Sequence, residues 1–221
     1  MHSPNNAQKS HLQAQLTDLR QHLMKLLTPT KSMSKAKAGT LTKVVERLSS
    51  AGQLNLQARQ KNPLLDVLAA KHMHQSMLPQ GCQKLVNSCL NIADYLPWYQ
   101  RQVAHNPDFM SGHINAQIIG PGGLEIRQDV IVGITLMRPE LDYPDHQHEP
   151  KEIYLVLSNG CWRQNHGDWH SPDLGGLVYN PNNIMHGMQS QESPLMALWC
   201  LPLDQPFVSF NPTSNEAEPT A

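Results

Sequence analysis

His146, His148 and Glu152 fall close together in one stretch, Tyr143-Pro-Asp-His-Gln-His-Glu-Pro-Lys-Glu-Ile-Tyr154, and Tyr154 follows the glutamate by two positions. On a strand, residues two apart point to the same face. The imidazoles of His146 and His148 therefore aim together, and so do Glu152 and Tyr154. Pro150 argues against one unbroken strand. The spacing predicts two short strands joined by a turn near Glu149-Pro150. Two imidazoles and a carboxylate converging on one spot are a ligand set for a divalent transition metal.

A second stretch answers the first. Gly175-Gly-Leu-Val-Tyr-Asn-Pro-Asn-Asn-Ile-Met-His186 places the turn signal Asn180-Pro-Asn-Asn183 shortly before a lone histidine. The pair resembles the two cupin motifs. His146, His148 and Glu152 match the first, with Gly160 beyond them; Gly175, Pro181 and His186 match the second. Asn183 stands where the second motif carries a glycine, and Ser190 where an asparagine is common. Asparagine tolerates the left-handed conformation a glycine would supply, so the turn is expected to survive. The resemblance implies a double-stranded β-helix barrel of the jelly-roll kind, with His146, His148, Glu152 and His186 as metal ligands. Three nitrogens and one carboxylate accept Fe(II), Mn(II), Zn(II), Ni(II) or Co(II).

A narrower resemblance comes from the flanks. The stretch from Tyr143 through Tyr154 to Leu157-Ser158 is similar to the signature of the cupin-type dimethylsulfoniopropionate lyases and their lyase-like relatives, and Leu96-Pro-Trp98 resembles a segment of their helical part. The resemblance implies a carbon–sulfur lyase that splits a sulfonium carboxylate into dimethyl sulfide and acrylate by β-elimination. Such a reaction needs a base near the α proton. Tyr154, on the face of Glu152, is the first candidate, and Tyr143 the second, as base or positioning hydroxyl. A phenol's ordinary pKa of about 10 would have to fall. The sulfonium asks for an electron-rich wall, worth roughly 0.5–2 kcal/mol. Trp162, Trp169, Tyr179 and Trp199 are the aromatic residues available for it. Each alone also reads as barrel core. His166, His170, Arg138 and Lys151 read as solvated surface. Two other functions fit the same ligands: a cupin metalloenzyme of other chemistry, dioxygenase or sugar isomerase, and a small-molecule-binding cupin without catalysis.

The elements that must position these residues change character along the chain. Leu12, Leu16, Leu19, Leu23, Leu26 and Leu27 recur at three and four, which predicts a helix over 11–27. Residues 30–40, with Lys31, Lys35 and Lys37, read as a basic linker. Further helices are predicted over 42–48, from Pro63 to Leu78, and over 84–94. From Ile114 onward short apolar or alternating runs, separated by turns such as Gly120-Pro-Gly-Gly123 and Ser158-Asn-Gly160, predict a β sandwich or barrel. The expected division is a helical part over 1–110, a barrel over 111–210 and a disordered tail over 211–221. The helices could cover one barrel face or pair two subunits as a homodimer.

Composition narrows the partners. The formal charge of -1 creates no field favouring nucleic acid or an anionic membrane, so a small-molecule substrate is expected. No apolar run approaches the roughly 20 residues of a membrane span. The N-terminus lacks the pattern of a signal peptide. Cys82, Cys89, Cys161 and Cys200 form no disulfide framework. A cytoplasmic, reducing setting is the resulting expectation.

Overall fold

The leucine seam of the first helix is buried along its length, at Leu12, Leu16, Leu19, Leu23 and Leu27. It makes α1 (Asn6–Leu26) an amphipathic helix. The structure, a computed structural model, describes residues 6–56 and 77–205. Next comes α2 (Lys35–Leu48), which starts inside the stretch read as a linker. Ser34 explains the early start: its hydroxyl accepts the Lys37 N–H at 3.3 Å, a side-chain cap. Thr40, Leu41, Val44 and Leu48 then form the buried face. The predicted helix over 84–94 is α3 (Gln80–Ile92), closed by one 3-10 turn, Ala93–Tyr95. The helix predicted from Pro63 lies almost wholly outside the described residues, as does the tail from Asn211. A short helix, α4 (Pro107–Gly112), precedes the first long strand, outside the predicted helices. Asn106 caps it, accepting the Phe109 N–H at 3.0 Å.

The strands are β1 (Gln53–Leu54), β2 (His113–Gly120), β3 (Glu125–Ile126), β4 (Val130–Met137), β5 (Asp142–His146), β6 (Glu152–Val156), β7 (Gly160–Gln164), β8 (Leu177–Asn180), β9 (His186–Ser190) and β10 (Leu195–Pro202). The break between β5 and β6 falls at the predicted turn. One sheet runs β1-β3-β2-β4-β10-β6-β8 and the other β5-β9-β7. From β4 to β10, consecutive strands alternate between the two sheets. That alternation is the jelly-roll, double-stranded β-helix arrangement of a cupin.

Period-two alternation sorts the side chains of the large sheet. On β10, Met196, Leu198 and Cys200 face the helices, while Leu195, Ala197, Trp199 and Leu201 face the barrel interior. On β6, Ile153 and Leu155 face out, and Tyr154 and Val156 face in. The helices therefore cover one face of the barrel, the first of the two arrangements left open by the sequence. Burial also reaches across this boundary in polar form. Arg20 of α1 pairs with Glu125 of β3, and the other Glu125 oxygen accepts the Gly52 N–H at 2.8 Å. Two pairings cross residue 110: β1 with β3, and Tyr99 with Asn115. Inside, Gly133 lies under the Trp199 ring, where an added Cβ would meet ring carbon at 2.0 Å.

Candidate metal centre

Strand register brings the two motifs together. The antiparallel pairing of β5 with β9 places His146 directly opposite His186. His148 follows two positions after His146, and Glu152 opens β6 in the other sheet. The turn that returns the chain to His186 passes through Asn183 at φ 56°, the left-handed conformation expected there. The Asn183 N–H donates to the His148 carbonyl at 2.9 Å, tying this turn to the first motif.

One ligand atom from each of His146, His148 and His186 lies within 4.8 Å of the others. Each imidazole meets a backbone carbonyl through Nδ1: His146 with Pro144 at 3.0 Å, His148 with Pro150 at 2.9 Å and His186 with Ile184 at 2.9 Å. A carbonyl can only accept, so Nδ1 carries the proton and Nε2 keeps a lone pair. Nε2 of His186 is buried and has no hydrogen-bond partner. Glu152 Oε2 stands 3.4 Å from His148 Nε2 and 3.2 Å from His186 Nε2. Asn180, opposite Glu152 across β6 and β8, donates to that oxygen at 3.0 Å, and Gln164 donates to Asn180 at 2.6 Å. Lone pairs that converge, with their rings oriented by outer hydrogen bonds, fit a divalent ion. The sequence reading did not single out Asn180 as an orienting residue; only its pairing with Glu152 shows the role.

Phenols surround this cluster. The Tyr154 ring centroid is 6.4 Å from that of His186, and Tyr143 is 5.0 Å from His146. A hydrogen-bond chain crosses the interior behind Tyr143. The Trp199 indole donates to Thr135 at 3.1 Å, Thr135 donates to Asn115 at 2.6 Å, and Asn115 faces the Tyr143 hydroxyl at 3.4 Å.

A sequence profile of the dimethylsulfoniopropionate lyases matches residues 36–197. The chain belongs to that family. Among curated relatives, it is 31% identical over 70 residues to a Cereibacter sphaeroides protein carrying the name dimethylsulfoniopropionate lyase DddL, covering 32% of this chain and 29% of the relative. It is 31% identical over 94 residues to dimethylsulfoniopropionate lyase DddQ of Ruegeria pomeroyi, covering 41% of this chain and 46% of the relative. The matched stretch is thus less than half of either relative's length. Two solved structures share the fold. One, from a study of the lyases RdDddP and RnDddQII, gives a TM-score of 0.65 at 20% identity over 90% of this chain and 99% of that one. The other, DddQ from Ruegeria pomeroyi DSS-3, gives 0.63 at 19% identity over 91% and 99%.

The electrostatics of this lyase-family site follow from burial. Burial alone would push the Glu152 carboxyl up, but His148 and His186 outweigh it and hold the group well below the carboxylate range. Burial pulls His148 down, and Glu152 more than reverses that, so its pKa is net raised. His146 is held well below the ordinary value by burial, then by His186 and the Arg101 charge. Burial, then Glu152, pushes the Tyr154 phenol well above its usual value. Burial raises Tyr143 to about 12, with Arg101 and Asn115 opposing.

The structure sorts the four aromatic wall candidates. Trp162 and Trp199 face the barrel interior, with Trp162 centred 6.4 Å from Tyr154. Tyr179 packs instead against the core shared with the helices, because it pairs with outward-facing Ile153. Trp169 lies outside, under the Arg163 guanidinium at 4.5 Å. His166 stays largely exposed and pairs with Asp145. The sequence reading passed over Tyr99 and Arg101. Tyr99 bridges to Asn115 through two backbone hydrogen bonds of 2.8 Å, as an added strand residue would. Its phenol feels Tyr143 and Glu152, and Arg101, two positions on, stands 5.8 Å from the Tyr143 ring centroid. A period-two pair following Leu96-Pro-Trp98 is the signal that could have found them.

Proposed function

We propose that the protein is a metal-dependent lyase that cleaves dimethylsulfoniopropionate to dimethyl sulfide and acrylate. Family membership supports the reaction. The observation that carries the reading is the convergence of three imidazole lone pairs and the Glu152 carboxylate beside the Tyr154 phenol. A divalent ion held there would act as a Lewis acid toward the substrate carboxylate and draw the neighbouring phenol's pKa down.

Tyr154, as phenolate, takes the α proton of the substrate. The electron pair of that C–H bond becomes the second Cα–Cβ bond. The Cβ–S bond breaks with its pair on sulfur, dimethyl sulfide leaves neutral, and acrylate keeps the carboxylate. No general acid is required, and Tyr154 returns its proton to solvent. Tyr154 is preferred to Tyr143 because it shares a face with Glu152. Trp162 and Trp199 offer ring faces to the sulfonium, worth roughly 0.5–2 kcal/mol.

Headspace analysis tests the reading. Purified protein with bound metal should release dimethyl sulfide and acrylate in equal amounts, a chelator should stop release, and added divalent ion should restore it. Metal-loaded protein that releases no dimethyl sulfide would overturn the reaction.

A further inference from the structure

Arg101 reaches the site through a strap that is firmly tied down. Its backbone N–H donates to His113 Nε2 at 3.0 Å, and His113 Nδ1 meets the Phe109 carbonyl at 2.5 Å. Tyr99, two positions earlier, is bonded on both sides to Asn115. Yet Arg101 Nη1 is buried and has no hydrogen-bond partner. An arginine is always charged. A buried N–H of such a group, left unmet, costs more than a neutral one. The guanidinium also stands beside the histidine cluster: its carbon is 5.8 Å from the Tyr143 ring centroid, and that ring is centred 5.0 Å from His146. A fixed strap, an unmet cationic donor and a neighbouring metal-ligand set together describe a place for an anion.

We propose that Arg101 is a carboxylate-positioning residue: its guanidinium takes one oxygen of the substrate carboxylate while the other oxygen faces the histidine cluster. This rests on the lyase reading and sharpens it. The site would select substrates that carry both a carboxylate and a cationic leaving group. A neutral analogue could accept a hydrogen bond there but would leave the buried guanidinium charge unbalanced, a loss that favours the carboxylate.

Acrylate and its neutral isostere acrylamide are the probes, measured by calorimetric titration on the metal-loaded protein, with metal content determined on each sample. Acrylate should bind wild type, and acrylamide at least tenfold more weakly. Arg101→Gln should weaken acrylate at least tenfold with metal content unchanged, and Arg101→Lys should recover part of the loss by keeping the charge. In turnover, Arg101→Gln should raise KM more than it lowers kcat. Equal acrylate binding by wild type and Arg101→Gln would overturn the inference, as would acrylamide binding as well as acrylate. The two readings fail separately. Arg101-dependent acrylate binding without dimethyl sulfide release removes the reaction and leaves the carboxylate site. Dimethyl sulfide release with acrylate binding indifferent to Arg101 does the reverse.

Discussion

The site is built from two regions of different kinds. The ligand strands carry their chemistry at short spacing: His146, His148, Glu152 and Tyr154 lie on β5, β6 and the turn between them, and His186 enters by register with His146. The strap Tyr99-Gln100-Arg101 carries one phenol and one guanidinium. It belongs to neither sheet and is held by an isolated bridge, by one imidazole and by the Gln100 amide, which donates to the Met110 carbonyl. On the proposed function, the strands would supply the lone pairs and proton acceptor that the reaction cannot do without, and the strap would supply orientation. Disruption of the strands should therefore remove activity, and disruption of the strap should only degrade it.

The largest effect is expected at His186. His186→Ala takes away the ligand that the second motif would contribute, together with the Nε2 that stands 3.2 Å from Glu152. Bound metal should fall to background, with dimethyl sulfide release falling alongside. Full metal content in this variant would show that the cluster is not one site. Next is Tyr154→Phe, which keeps the ring and removes the base. Activity should drop by about 10²–10⁴, with metal content and melting temperature near wild type. If activity survives while Tyr143→Phe abolishes it, the base is Tyr143.

The same contrast explains what could be read in advance. Period-two logic on one short stretch was enough to align His146 with His148 and Glu152 with Tyr154, because a strand's geometry is local. The alternation that sends Tyr154 inward also sends Ile153 outward. Tyr179 faces the helices because its partner is Ile153, and that pairing is not local. Trp169 lies at the surface because the chain beyond β7 turns back, leaving it stacked under Arg163. Arg101 was passed over for the same reason: its two-residue spacing from Tyr99 is in the sequence, but its position depends on Asn115 and His113, residues in a different element. Ser34 shows the converse. A capping signal was present in the sequence, but the lysines around it made the stretch look like a solvated linker.

Asn180 sharpens the comparison within the strand region. It orients Glu152 by one hydrogen bond and is itself fixed by Gln164. Asn180→Ala should weaken metal affinity about 10–100-fold, as loss of an orienting partner commonly does. Competition with a chelator of known affinity would measure it. An unchanged affinity would mean that Glu152 is held by its place on β6 alone.

The smallest effect is expected in the strap, and it should depend on pH. His113 is fully buried and stacked on Phe109 at 3.6 Å between ring centroids. Burial, aided by the Arg101 charge and opposed by the Phe109 hydrogen bond, lowers its pKa to about 4. Neutral His113 accepts the Arg101 N–H; a proton on Nε2 would turn two donors against each other and release the strap. The unfolded chain keeps the ordinary histidine pKa of about 6.5. Between those values the unfolded state binds more protons, so the His113 contribution to stability is complete above about 6.5 and is lost as pH falls toward 4. The slope is at most about 1.4 kcal/mol per pH unit. His113→Gln offers a donor and an acceptor but no titration. Its melting temperature should fall less steeply than that of wild type over pH 6.5 to 4, and the two should run parallel above 6.5. Parallel curves over the whole range would mean that the strap is held by the Tyr99 bridge and the Gln100 amide and that His113 is only packing.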